Sequence, residues 1–483
     1  MLKKFALIIV CIFFIGQAWA QDFGFGFGFG DDVEGGSYGA ASGGGLSVSI
    51  SGDVSAAVIV YIDEAAKGAE NINTRDMFMF SGKLNFLAQS SFAEGVINLK
   101  LVPALVPVSI DEAYIRAFFG DLEFTAGLRK LAWGKADQLG PLDIINMPDA
   151  SKMFIEMADN TNLMGVKIAN PLIHGALRFG QYSKIEVAFL PSFEIVSMAV
   201  SSLFGGSNEF LSLVSGPVSD RWIPAQMKQL LNMYPKKDDG TINYEGILVP
   251  IDTSWLNYAQ VGLRYTTTIG SADIGAQYFY GRMFQPAMKV EYDPSSFPAY
   301  PNLIIDSIEL IFNKYHHIGL DYAQVLAGFN IRAEVAANIT EDLKGDDPYI
   351  YNPSIGWSFG FDRDLFLGVN LNLQGNGTVR LFHDKVGSDP VNGSFDNEAG
   401  TSMTATRITS MFSRKFLRDE LELRAAVVWG IEDKDLAVIP ALIWTKDDLR
   451  VALSGSFFTG DSKGQLGQYK DNNFLKVSVA YVF

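Results

Sequence analysis

Between residue 46 and residue 483, run after run carries apolar side chains at every second position. Val261, Leu263 and Tyr265 stand opposite Gln260, Gly262 and Arg264. Ile355, Trp357, Phe359 and Phe361 alternate with Ser354, Gly356, Ser358 and Gly360, and Leu367, Val369, Leu371 and Leu373 with Gly368, Asn370, Asn372 and Gln374. The same rhythm runs through residues 46–50, 78–89, 97–101, 113–119, 122–128, 274–280, 331–339, 421–431, 436–444 and 449–457. In the last nine residues Leu475, Val477, Val479, Tyr481 and Phe483 share one face, against Lys476, Ser478 and Ala480. A period of two marks a strand with unlike faces. Gly120-Asp121, between two such runs, marks a tight hairpin.

A soluble sandwich also alternates, but it gathers its apolar faces into one compact core. Segments of about ten residues, spread over so long a chain, fit better in a closed barrel whose apolar face meets lipid. The expected fold is all-β: a transmembrane antiparallel up-and-down β-barrel over residues 46–483, with about 16 strands in a range of roughly 14–18. Tyr61, Phe118, Phe119, Tyr280, Trp357, Trp429, Trp444 and Tyr481, near segment ends, suit aromatic girdles at the two interfaces.

Three stretches break the rhythm: residues 129–162, 191–253 and 282–314. Long loops containing short helices are expected there. Asp220 is placed to cap a helix carrying Ile223, Met227, Leu230, Leu231 and Tyr234 on one face, and residues 303–312 are apolar at near-helical spacing. In the first stretch Gly134, Pro141 and Pro148 preclude one continuous helix or strand. Trp133 offers a large anchor, and Asp137, Asp143 and Asp149 are carboxylates at six-residue spacing. They read either as turn caps in a surface loop or as the lining of a loop folded into the barrel to narrow it. An EF-hand calcium loop would need ligands at odd positions, which this spacing lacks.

Residues 1–20 read as a cleaved signal peptide: Lys3 and Lys4, an apolar centre from Phe5 to Gly16, then Ala18-Trp19-Ala20. Cys11 raises the alternative of a lipoprotein signal, against which stands bulky Val10 before it. Cleavage removes the one cysteine, leaving no disulfide or thiolate site, and takes the formal charge from −16 to −18. So acidic an exported chain is a poor nucleic-acid partner. Residues 21–45, with Phe-Gly repeated from Phe23 to Gly30, read as a flexible low-complexity periplasmic tail. No later run reaches the roughly 18 apolar residues of a spanning helix.

Two patterns resemble known families. The terminal strand, with Tyr481 and a final Phe483, resembles the insertion signal of bacterial outer-membrane barrels, which implies the barrel-insertion machinery as a partner. Gly127-Leu128-Arg129, Trp133-Gly134, Asp137 and Ile145-Asn146-Met147-Pro148-Asp149 resemble a family of porin-like outer-membrane barrels of largely uncharacterised role. In that pattern Pro follows Asn directly, whereas here Met147 intervenes. The resemblance implies an outer-membrane channel in a diderm bacterium, and identifies neither solute nor catalytic residue.

Alternation assigns Lys83, Lys100, Arg116, Arg129, Arg264, Arg332 and Glu334 to the lumen, where they set the field that solutes meet. The acidic total leans towards cations. No Gly-x-Ser-x-Gly turn or His-Glu-x-x-His motif occurs, and His317 and Asp321, four residues apart on a strand, are separated by roughly 13 Å. No catalytic residue, metal or cofactor is expected. The function so read is passive passage of small solutes, with outer-membrane lipid as surroundings; uptake of fatty-acid-like compounds and a plugged surface adhesin are the alternatives.

Overall fold

The computed structural model describes residues 46–62, 78–102, 106–137, 140–146, 155, 158–159, 165, 167–191, 255–284, 287–292, 305–387 and 396–483. Among these residues, eighteen antiparallel strands form one closed barrel. In chain order they are β1 to β9 (Ser47–Tyr61, Phe78–Gln89, Ala93–Val102, Val106–Phe119, Leu122–Arg129, Asn170–Phe179, Ser183–Leu190, Gln260–Ile269, Ala272–Arg282) and β12 to β20 (Lys314–Leu326, Phe329–Thr340, Ser354–Asp364, Val369–Arg380, Thr404–Phe416, Leu421–Gly430, Asp435–Lys446, Leu449–Gly460, Phe474–Val482). Each pairs with the next, β9 pairs with β12, and β20 closes on β1 from Asp53↔Val482 to Tyr61↔Phe474.

The count of 18 corrects the central expectation of about 16 and stands at the top of the expected range. A run such as Thr404–Phe416 hides its periodicity because its outer face mixes Thr406, Ser410 and Arg414 with Ile408 and Phe412. The helical reading of residues 303–312 is also corrected. Residues 303–312 contain β11 (Ile305–Ile311), which pairs with β10 (Ala287–Tyr292) in a separate hairpin. Its β-branched isoleucines favour a strand once a partner is present, and Lys289 on β10 lies 3.1 Å from Glu291 and 3.9 Å from Glu309. Other loops carry single 3-10 turns, such as Trp255–Tyr258 and Gly467–Tyr469. The helix expected around Asp220 lies outside the described residues, as do the signal peptide and the Phe-Gly tail.

The two ends of the barrel differ. At one end every strand connection is four residues or fewer, and β1 begins and β20 ends there. The Gly120 turn has φ +65°, and Ala327 and Gly328 have φ +51° and +80°, the left-handed pair that a two-residue hairpin demands. All the long connections emerge at the other end.

Directly opposed residues share a face, so the registers sort the side chains. On β12, Ile318 and Leu320 point outward while His317 and Asp321 are buried inside. Phe119, Trp429 and Tyr481 lie on the outer face as expected of girdle residues, but Tyr61 turns inward, edge-on to Phe474. The interior is not uniformly polar either. Ile59, Val428, Ala437, Ile439, Phe458 and Phe474 form a buried apolar patch on the inner wall.

Candidate functional site

The connection between β5 and β6 turns into the barrel instead of leaving it. An 18-strand wall is wide enough for an aqueous channel, so whatever crosses it governs the passage. This connection touches the wall at widely separated strands.

Its first hold is Glu334 on β13, only 4% exposed. The Glu334 carboxylate accepts the backbone N–H of Lys135, of Ala136 (2.7 Å) and of Leu142 (3.3 Å). The fit leaves no space. A Cβ on Gly134, whose φ is +100°, would lie 2.4 Å from Oε1, and one on Gly140 would lie 2.2 Å from Oε2. Glycine is thus required at both ends of the turn that wraps this carboxylate.

Glycines on the wall make room for the same turn. A Cβ on Gly262 (β8) would come 2.5 Å from the Trp133 ring, on Gly319 (β12) 2.9 Å from Leu142, and on Gly356 (β14) 2.8 Å from Pro141. Trp133 is buried among Leu131, Ile145, Leu190, Phe279 and Tyr315.

The predicted carboxylates part company. Asp137 is buried in an ion pair with Arg332, and Asn372 donates to it at 2.9 Å. Asp143 meets Lys167 at 2.5 Å, joining the outward and return arms of the same connection. Asp149 lies outside the described residues. At the base, Asn146 accepts from the Leu131 N–H (2.6 Å) and donates to the carbonyls of Arg129 (3.1 Å) and Ile168 (2.9 Å).

Across the barrel, Asp159 accepts from Lys476 Nζ (2.9 Å) and Ser478 Oγ (2.5 Å) on β20, and its own carbonyl accepts from Arg450 on β19. Alternation placed Lys476 on the inner face of the terminal strand, but a partner 317 residues away leaves no local trace.

The predicted inner charges all lie on the inner face, and most have a partner of opposite sign. Lys100 sits 2.7 Å from Asp111, which also holds Lys130 at 2.8 Å. Asp111 stands where the β3–β4 register shifts, an irregularity that brings an extra carboxylate inward. Arg116 reaches Glu94 (3.1 Å) and Glu123 (3.5 Å). Arg129 lies 3.3 Å from Thr125 and over the Tyr114 ring. Arg264 pairs with Asp321 at 2.6 Å and donates to Gln277 at 2.7 Å. Lys83 stands opposite Lys100 and Asp53.

Gln277 also donates to the Leu142 carbonyl (2.9 Å) and to His317 Nε2 (3.1 Å), leaving His317 Nδ1–H to donate to Asn338 (2.8 Å). This network fixes the Nδ1–H tautomer and keeps His317 apart from Asp321. Among the described residues no group of three His, Cys, Asp or Glu is placed to hold a metal ion.

Burial pushes the Asp137 carboxyl up to about 6, against the pull of Arg332 and Asn372 and with some help from Asp362. The folded protein therefore holds this proton more tightly than the unfolded chain. The resulting stability is present below the ordinary value of 3.8 and is lost as pH rises through about 6. The effect is on the order of 3 kcal/mol. Comparing unfolding at pH 4 and pH 7.5 is expected to show a drop with rising pH that Asp137→Asn reduces. An equal drop in both proteins would remove Asp137 from that role.

No family model matches the chain, and no curated protein matches it in sequence. Solved structures do resemble it. OccK9 (OpdG) of Pseudomonas aeruginosa is 8% identical, with a TM-score of 0.47 over 91% of this chain and 97% of that one. Wzi of Escherichia coli, described as a carbohydrate-binding β-barrel involved in group 1 capsule assembly, is 9% identical, with a TM-score of 0.42 over 89% and 84%. The outer-membrane channel DcaP of Acinetobacter baumannii is 9% identical, with a TM-score of 0.38 over 91% and 98%. No residue's role is carried across from any of them.

Proposed function

We propose that the chain is a porin-like channel of the outer membrane of a diderm bacterium, exported through a cleaved signal peptide and admitting small solutes passively. A closed barrel with an apolar outer face satisfies its backbone without water and has no free edge, as hydrocarbon requires. Short turns with both strand termini at one end and long loops at the other match the periplasmic and outer ends of such barrels.

The observation that carries the reading is the grip of Glu334 on the turn from Gly134 to Leu142. It fixes a constriction inside an otherwise wide barrel. Trp133 wedges the constriction against β8, Asp137 and Arg332 place opposite charges at it, and Asp143 braces it through Lys167. The remaining inner charges, largely neutralised in pairs, give the passage a patterned field of low net strength.

A plugged barrel is the second reading, favoured by the complete burial of Leu142 and Ala158. Conductance of refolded residues 21–483 in a planar bilayer, against a variant lacking residues 135–158, separates the two. Discrete steps that enlarge on deletion are expected. Silence from the intact protein with steps after deletion means a plug, and silence from both, in folded protein, overturns the channel.

A further inference from the structure

Among the described residues, the inner wall from β17 to β20 contains donors that no acceptor meets. Register sets Arg424, Ala441, Ser454 and Lys476 in one row across four neighbouring strands. Ala426 and Ile439 lie in the next row towards the long loops, as do Ser456 and Phe474. Arg424 is 4% exposed, Ser454 3% and Ser456 0%. Yet among the described residues Arg424 Nη2 and both serine hydroxyls have no hydrogen-bond partner. A buried donor left unpaired costs roughly 1–3 kcal/mol, more when charged. Three of them within about two strand spacings, roughly 10 Å, mark a place shaped for a missing acceptor.

Charge gives that acceptor a sign. The wall here carries Arg424, Arg450 and Lys476, against Glu422 (3.8 Å from Arg424 Nη1) and Asp159 of the inward connection. The balance is one positive charge in excess. Towards the long loops the same wall becomes the apolar patch of Val428, Ala437, Ile439, Phe458 and Phe474. An anion with a hydrocarbon tail would meet donors at one end and aliphatic and aromatic surface at the other.

The chain supplies its own example of that chemistry. Ile155 and Ala158 pack on the apolar patch, while the Asp159 carboxylate sits between Lys476 and Ser478. We propose that this wall binds an amphiphilic monocarboxylate, a small carboxylate with an aliphatic or aromatic tail, and that Ile155, Ala158 and Asp159 are its built-in competitor. Arg424, Ser454 and Ser456 receive the carboxylate, and the patch around Ile439 receives the tail. A ligand seated there displaces Asp159 from β20, coupling occupancy to release of the connection. The inference rests on the channel reading only for the route by which the ligand arrives.

The test is calorimetric titration of the full mature chain, folded in detergent, with hexanoate, 1-hexanol and inorganic phosphate. Hexanoate is expected to bind and the other two to bind at least tenfold more weakly. Arg424→Gln and Ser454→Ala are each expected to weaken hexanoate at least tenfold, and Asp159→Asn to tighten it severalfold by removing the competitor. Ser454→Ala keeps the volume of the wall nearly unchanged, so it reads the site even if Arg424→Gln folds poorly. Hexanoate binding equal in wild type and Ser454→Ala, phosphate binding as tight as hexanoate, or no hexanoate binding would overturn the proposal. Binding that survives in a protein silent in bilayers would retire the channel reading and keep the site.

Discussion

Replacing Glu334 by alanine is expected to free the turn from Gly134 to Leu142 and raise single-channel conductance several-fold while the barrel stays folded. The barrel survives because β13 keeps its full ladders to β12 and β14, which owe nothing to this side chain. The turn does not survive, because three backbone N–H groups lose their acceptor in a dry interior. At roughly 1–3 kcal/mol for each unsatisfied group, about 3 kcal/mol is a conservative total after allowing for relief of the buried charge, or a shift of about 100-fold towards an open arrangement. Gly134→Val and Gly140→Val approach the same joint from the other side, since each new side chain would collide with the Glu334 carboxylate. All three should enlarge the conductance and expose residues 130–146 to protease. Glu334→Gln, which keeps an acceptor and the shape, should lie between wild type and alanine. Wild-type conductance and protease resistance in all three would show that the grip is not what holds the constriction.

That joint also shows what the sequence disclosed and what it withheld. Alternation placed Glu334 on the inner face of its strand, and the Trp133-Gly134 pattern singled out the connection that fills the barrel. Neither says that the two meet, because the pairing of Glu334 with Lys135 spans 199 residues and depends on how many strands lie between them. Gly262 and Gly356 were visible as small residues on the polar faces of β8 and β14. Only the closed barrel shows that Gly262, Gly319 and Gly356 are seats for Trp133, Leu142 and Pro141.

The strand count failed for a different reason. Alternation marks a strand when its two faces meet unlike surroundings. Thr404–Phe416 is mixed on its outer face. Ile305–Ile311 failed in the opposite sense, since Ile305, Ile308, Leu310 and Ile311 suit a helical spacing as well as a strand until a partner strand fixes it.

Removing residues 475–483 is expected to abolish the barrel altogether. The strand β20 is the closing stave: it pairs with β19 from Leu449↔Tyr481 to Ser456↔Phe474 and with β1 from Asp53↔Val482 to Tyr61↔Phe474. Without it two strands present bare edges, and in hydrocarbon each unsatisfied backbone group costs several kcal/mol. The loss exceeds the 5–15 kcal/mol that ordinarily stabilises a folded domain. Heat-modifiable gel mobility and β-sheet circular dichroism in lipid vesicles should both be absent, and their persistence would mean that β19 can close on β1 directly. Phe483 divides into two roles. Its backbone exchanges hydrogen bonds with Gly52, N–H to carbonyl at 2.9 Å and the reverse at 2.8 Å, which any residue can supply. Its outward ring contributes nothing to that ladder. Phe483→Ala should therefore fold in vesicles at close to the wild-type yield. If the ring is the mark that the insertion machinery reads, the same variant should accumulate unfolded when exported in cells. Equal assembly in both settings would leave the terminal aromatic as lipid-facing surface and nothing more.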